Sequence, residues 1–196
     1  MPQLRLSGDP EADRVLSEDP LALLIGMVLD QQIPLERAFT SPRDLRDRLG
    51  AGQLDAGTIA VMEPAKLAAI FTERPALHRF PVSNAERVQQ LCQLIVRDYG
   101  GRASGVWEGA SSGVELLGRV KALPGFGDQK AKIFVALLGK QLGVRPAGWQ
   151  EASRPFGDPG VCYSVADITD GESLGRVRAH KAQLKAAAKA AAHVGG

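Results

Sequence analysis

Cysteine is nearly absent: Cys92 and Cys162 are the only two among 196 residues. Two thiols are too few for a four-cysteine zinc site or a four-cysteine iron–sulfur cluster, and free buried thiols are expected rather than a disulfide between them. The three histidines, His78, His180 and His193, show no metal-ligand spacing. Aromatic residues make up only 5% of the chain, and sustained alternation of β-branched residues is missing, so little of it reads as strand. The longest apolar run, residues 21–29, is too short to span a bilayer. The opening MPQLRLSGDPEADR turns acidic before any apolar run, unlike a secretory leader. A soluble, cytoplasmic protein with no membrane association is expected. A net charge of +2 is too small to name a partner, so any preference for one must come from local clustering.

Helical patterning is what the chain has instead. Asp19–Pro20 marks a helix start ahead of LALLIGMVLDQQ, with proline at the first helical position. Ser41–Pro42 marks another for RDLRDRLG, stopped at Gly50. Asp55 and Glu63–Pro64 introduce the short helices TIAVM and AKLAAIF. Ser83 or Asn84 is expected to cap AERVQQLCQLIVRDY, which Gly100–Gly101 ends. In that helix Val88, Leu91, Cys92, Ile95 and Val96 share one face at core spacing. Two more helices are expected over 114–122 and from 128 to about 142. VRPAGWQEASRPFGDPG then has no periodicity. The final ESLGRVRAHKAQLKAAAKAAA reads as a helix in which Arg176, Arg178, Lys181, Lys185 and Lys189 oppose only Glu172. It is either a solvated Ala-rich helix or an added phosphate-binding one. The sum is an all-α chain of roughly nine or ten helices.

Between two of those helices lies LPGFG. Pro124 ends the first, and Gly125 and Gly127 permit positive φ and close approach of another backbone. Successive N–H groups in such a turn, at the start of the next helix, form an anion-binding concavity suited to phosphate. Lys121, Lys130, Lys132 and Lys140 are expected around it. Over 115–145 Arg119 and Arg145 add to them against only Glu115 and Asp128. Local positive charge in a nearly neutral chain is the footprint of a nucleic-acid backbone. An ordinary αα-corner with a solvated lysine face, docking a protein partner, would show the same residues.

LPGFGDQKAKIFVALL resembles the hairpin of the helix-hairpin-helix DNA glycosylases, the endonuclease III and adenine-glycosylase (HhH-GPD) superfamily. LALLIGMVLDQQIPLERAF resembles the family's opening helix and its polar turn, and FPVSNAERVQQLCQLIVRDYGG the helix before the hairpin. The resemblance implies an all-α, two-lobed fold with a cleft. A helical barrel over 27–141 would contain the helix-hairpin-helix at 114–142, and residues 1–26 with 142–196 would form the second lobe. It also implies base excision, in which a modified nucleotide is flipped out of double-stranded DNA into a pocket. A carboxylate there stabilises an oxocarbenium-like transition state. The hairpin Leu123–Pro124–Gly125–Phe126–Gly127, with Lys121, Gln129, Lys130 and Lys132, would bind the DNA. The carbonyls of Lys121, Leu123 and Phe126 would hold a monovalent cation, Na or K, and Gln32 would be the wedge that fills the gap left by the flipped base. No iron–sulfur cluster or other cofactor is expected. The protein would act as a monomer, nucleoid-associated in a bacterium.

Departures from the family pattern shape the rest. Gln129 stands where bifunctional members carry the Schiff-base lysine. Lys130 is adjacent, but one residue along a helix turns its side chain by about 100°. A monofunctional glycosylase without a lyase step is therefore expected. The family's catalytic aspartate falls on Ala147 or, with loop-length variation, on Trp149, Gln150 or Glu151, none of them aspartate. Asp30, in VLDQQIP at the end of an apolar helix, is the candidate replacement, with Glu151 or Asp158 as fallback. Asp30 could equally be a helix-end residue or a cap, Glu151 a solvated helix start, and Asp158 a turn residue. Trp107 and Trp149 could stack on bases or pack, and Phe126 is expected to plug the core. The rival expectation is a non-catalytic protein of the same fold that binds DNA lesions or structures after losing the acid.

Overall fold

Aspartate followed by proline writes two helix starts in this chain, whose computed structural model describes residues 3–194. Asp9 caps α1 (Pro10–Glu18), a helix the pattern above passed over, and Asp19 caps α2 (Pro20–Leu29). Asp19 Oδ1 accepts from the N–H groups of Leu21 (2.9 Å) and Ala22 (3.2 Å), and Oδ2 from that of Leu54 (3.2 Å). Burial of this carboxyl raises its pKa against those bonds. Every residue of α2 from Leu21 to Leu29 is buried. A helix apolar on all sides must be surrounded, and this one sets Asp30 at its C-terminal end.

α3 (Leu35–Arg48) starts earlier than Ser41–Pro42 suggests, because Pro34 already stands at its N-cap. Pro42 lies inside the helix and removes one N–H bond. Ser41, fully buried, sets its hydroxyl 2.7 Å from the carbonyls of both Arg37 and Leu77, which ties the helix to the loop after α5. α4 (Ala56–Val61) starts at Asp55 and α5 (Pro64–Thr72) at Pro64, as expected. α6 (Pro81–Tyr99) begins before the predicted caps, again at a proline in the first turn, so Ser83 and Asn84 lie inside it. Gly100, at φ 61°, ends it. Val88, Leu91, Cys92 and Ile95 are buried, but Val96 is 40% exposed, one residue and therefore about 100° past the stripe. Burial pushes the Cys92 thiol up to about 12. Both cysteines are free, Cys92 buried and Cys162 half-buried.

α7 (Gly113–Lys121), capped by Ser112, and α8 (Asp128–Gln141) form the hairpin. The irregular stretch beyond holds only α9 (Trp149–Ala152) and a 3-10 turn at Val165–Asp167; another 3-10 turn, Ala103–Val106, follows α6. α10 (Gly171–Val194) closes the described chain. The fold is all-α. Among the described residues the only β-type pairing is an isolated bridge between Ser112 and Ala147, and no helix is long and apolar enough to cross a membrane. One hydrophobic cluster connects Leu4 through α2, α6 and α8 to Val177 of α10.

Gly139 shows how tightly α8 is held. A Cβ placed there would run into the Trp149 ring. Gly139→Ala should lower stability by about 1–3 kcal/mol through overpacking, against the gain in helix propensity. Thermal unfolding checks the sign; a raised melting temperature would mean Trp149 moves freely.

Candidate nucleic-acid cleft

The hairpin turn is built by proline and one glycine. Phe126 N–H donates to the Leu123 carbonyl at 3.1 Å, with Pro124 second and Gly125 third at φ 85°. This is the type II β-turn, whose third position needs a left-handed residue. A Cβ on Gly125 would also meet Arg87 Cδ at 2.8 Å and Val28 at 3.3 Å. Gly127 departs from the expectation of positive φ. It is extended (φ −76°, ψ 175°), and nothing lies within 4 Å of where its Cβ would stand. As the N-cap of α8 it offers no side chain, so the first N–H groups of that helix have no side-chain cap. Leu123 and Phe126 are buried, and Phe126 meets Phe134 edge-on at 5.6 Å. Phe126 is thus a core plug.

The lysines are arranged differently from the expectation. Asp128 bridges two of them, Lys121 Nζ at 2.9 Å and Lys132 Nζ at 3.1 Å, and their bonds hold its carboxyl below the usual range. Lys140 is not at the turn: near the far end of α8 it pairs with Asp167 at 2.6 Å. Two of the carbonyls named for a cation, those of Lys121 and Phe126, accept no backbone hydrogen bond among the described residues, and that of Leu123 accepts one. A carbonyl oxygen has two lone pairs, so each of the three keeps acceptor capacity.

Beside the turn lies a cavity of about 460 Å³. Met27, Asp30 and Gln31 line it from α2 and the residues after it, Gly125 and Gly127 from the hairpin, and Gln129, Lys130 and Ile133 from α8. Lys181 reaches it from α10. The 100° step along α8 does not carry Lys130 out of the cleft: both Gln129 and Lys130 border it. Lys130 Nζ donates to the Val28 carbonyl at 3.2 Å. Burial brings its pKa down to about 8, against the upward pull of Asp30, while Arg87 and Lys181 push it further down. The Asp30 carboxylate itself, half-exposed, accepts no hydrogen bond from the described residues. Gln32 is exposed and has φ 59°.

Glu151 is exposed on α9, and Asp158 pairs with Arg154 at 3.0 Å; neither lines this cavity. Trp107 packs edge-on to Phe134 at 5.8 Å and Trp149 lies over Gly139; both rings pack against the core, and neither lines this cavity. On α10, Arg178 pairs with Glu36, and His180 stacks on Tyr163 at 4.5 Å. The side chains of Lys185, Lys189 and His193 fall outside the described residues. Among those described, no three His, Cys, Asp or Glu side chains are grouped to hold a metal ion.

Three groups at or beside the cleft carry no sequence signal for this site: Lys181 is legible only as one charge of the basic C-terminal helix. Arg87 looks like an ordinary charge on an amphipathic helix, and His78 like a scattered histidine. Arg87 Nη1 donates to Gln31 Oε1 at 3.2 Å, and His78 Nε2 lies 3.0 Å from the Gln31 carbonyl, 47 residues away in the chain. No local pattern announces a pairing of that range.

Comparison with curated proteins returns no match. The family comparison is positive and covers every residue that lines the cavity. Residues 25–194 match the HhH-GPD superfamily of base excision DNA repair proteins, and the chain belongs to that superfamily.

Proposed function

We propose that this protein is a monofunctional DNA glycosylase that flips a modified base out of double-stranded DNA and hydrolyses its glycosidic bond with the help of Asp30. One observation carries the reading: a carboxylate without a hydrogen-bonding partner among the described residues borders a cavity that the hairpin glycines and the uncapped start of α8 also line. In this reading the α8 N–H groups and Gly127 hold one phosphate, with Lys121 and Lys132 adding charge. A cation on the Lys121, Leu123 and Phe126 carbonyls would add positive charge beside that phosphate. Gln32 fills the gap in the stack. The cavity volume is within the range of small-molecule sites, about 300–1,000 Å³.

When the glycosidic bond breaks, its electron pair leaves with the base and positive charge builds on the sugar. Asp30, fixed and negative, stabilises that charge more in the transition state than before it. Water adds to the sugar carbon and loses a proton, leaving an abasic site. The barrel over 27–141, with the terminal segments as a second lobe, is the division this reading assigns.

Strand scission is the finer question, and Lys130 makes it testable. Gln129 has no amine, and the Lys130 amine is engaged by the Val28 carbonyl. Borohydride added during the reaction should trap no enzyme–DNA adduct, and the product strand should stay intact until alkali cleaves it. A trapped adduct that disappears in Lys130→Ala would instead give Lys130 the covalent role.

The non-catalytic DNA binder has one observation in its favour. The family's acid position falls on Ala147, whose carbonyl accepts from Gly113 N–H at 2.7 Å and whose side chain carries no charge. Tight duplex binding without release of any base would select that reading.

A further inference from the structure

Asp30 and Gln32 stand on a stretch of backbone that needs outside support. Asp30 (φ −69°, ψ 70°) is the centre of an inverse γ-turn, closed by Gln31 N–H donating to the Leu29 carbonyl at 2.7 Å. Gln32 follows at φ 59°, the one non-glycine residue with positive φ among those described, a conformation disfavoured for an L side chain. The carbonyl between these two residues belongs to Gln31. It is held from outside the loop by His78.

His78 is buried, 3% exposed. Its Nε2 lies 3.0 Å from the Gln31 carbonyl, and its Nδ1 is faced by two groups, Phe80 N–H at 3.0 Å and Asn84 Nδ2 at 2.8 Å. A backbone N–H can only donate. The Asn84 amide is oriented by its other contacts: Nδ2 reaches the Phe80 carbonyl at 2.9 Å, and Oδ1 faces Arg87 at 3.5 Å. Nδ1 must therefore offer its lone pair, which places the ring proton on Nε2, aimed at Gln31.

We propose that His78 is a positioning residue for the cleft: its Nε2–H fixes the Gln31 carbonyl and thereby holds Gln32 in its left-handed conformation and Asp30 at the cavity. This rests on the reading of Asp30 as the acid and Gln32 as the wedge. A second proton, on Nδ1, would collide with both donors. Burial opposes that proton first; Arg87 from α6 and Lys130 from α8 oppose it by charge, while the Gln31 and Leu29 carbonyls favour it. The net shift is downward. A histidine whose folded pKa is depressed supports the fold fully above its ordinary value of about 6.5 and loses that support as pH falls below it.

The test uses the full chain and two readouts. The first is structural and needs no DNA. Nitrogen NMR of the His78 ring at about pH 7.5, above the ordinary imidazole value, should find the proton on Nε2; a proton on Nδ1 overturns the proposal without any variant. Amide exchange at Gln31 should quicken about tenfold in His78→Leu, the worth of one hydrogen bond, with α8 amides unchanged. His78→Gln, which can still present an N–H to Gln31, should restore slow exchange. Unchanged exchange in His78→Leu, or a glutamine no better than leucine, overturns the proposal.

The second readout is a fluorescent 2-aminopurine beside an abasic site in a duplex. Its unstacking signal should fall about tenfold in His78→Leu, with the salt dependence of duplex binding kept, and recover in His78→Gln. The wild-type signal should also decline at acid pH, at a value lower than the ordinary imidazole pKa of about 6.5, while that of His78→Gln does not. A pH profile shared by the two overturns the proposal. If the wild-type chain gives no signal on any duplex, the DNA reading has failed, and the structural readout alone decides the role of His78.

Discussion

Replacing Asp30 by asparagine is expected to slow base release by about 10²- to 10³-fold while leaving duplex binding intact. The substitution keeps shape and removes only charge. Binding is kept because the groups proposed to hold phosphate, the α8 N–H groups with Lys121 and Lys132, lie on the hairpin and not on the residue after α2. Loss of Asp30 also removes the one charge that raises the Lys130 pKa, so that value should drop below about 8. Lys130 in Asp30→Asn should then lose its proton at lower pH than in the wild type. Single-turnover release, measured beside an equilibrium binding curve, separates the chemical step from affinity. Glu151→Gln and Asp158→Asn should keep wild-type rates, because neither side chain borders the cavity. Full activity in Asp30→Asn would contradict its role as the acid, and a lost rate in Glu151→Gln or Asp158→Asn would contradict the placement of the chemistry in this cavity.

Gly125→Val should cost about 2–4 kcal/mol of folding free energy, the left-handed penalty and the overpacking together. The backbone there is at φ 85°, and a side chain would meet Arg87 and Val28. Duplex affinity should fall with it, for every sequence alike, because the turn aims the start of α8. Gly127→Val supplies the contrast. That residue is extended, and nothing stands within 4 Å of a Cβ. Its fold and melting temperature should survive, yet binding should weaken because the new methyl groups occupy the approach of the phosphate. The sequence alone gives both glycines the freedom for positive φ, since two glycines flanking Phe126 look equivalent. Equal melting temperatures for the two variants would contradict the turn geometry.

Much of the fold was legible because helix boundaries are local. Asp19–Pro20, Asp55 and Glu63–Pro64 are start signals that act within a few residues, and α2, α4 and α5 begin where they lie. The failures have a physical cause as well. Pro42 falls inside α3 because the helix already begins after Pro34, and Pro81 rather than Ser83 or Asn84 stands at the start of α6. The hairpin could be read from LPGFG, whose meaning is carried by neighbouring residues.

The cleft could be read only in part. Asp30 and Lys130 were visible as unusual residues beside a family pattern, but their meeting at one cavity depends on how α2 lies against α8. Asp128 lying between Lys121 and Lys132 tempers the positive charge that a residue count suggests. Lys140 drops out because Asp167, 27 residues on, claims it. His78 was invisible as a functional residue, since each of its partners is an ordinary backbone or amide group.

Chromatography of free base released from a panel of duplexes, each carrying one modified base, tests the central claim most directly. The account predicts that the wild-type chain releases at least one of them, leaving an abasic site in a continuous strand. Duplexes bound tightly and returned with every base in place would contradict it.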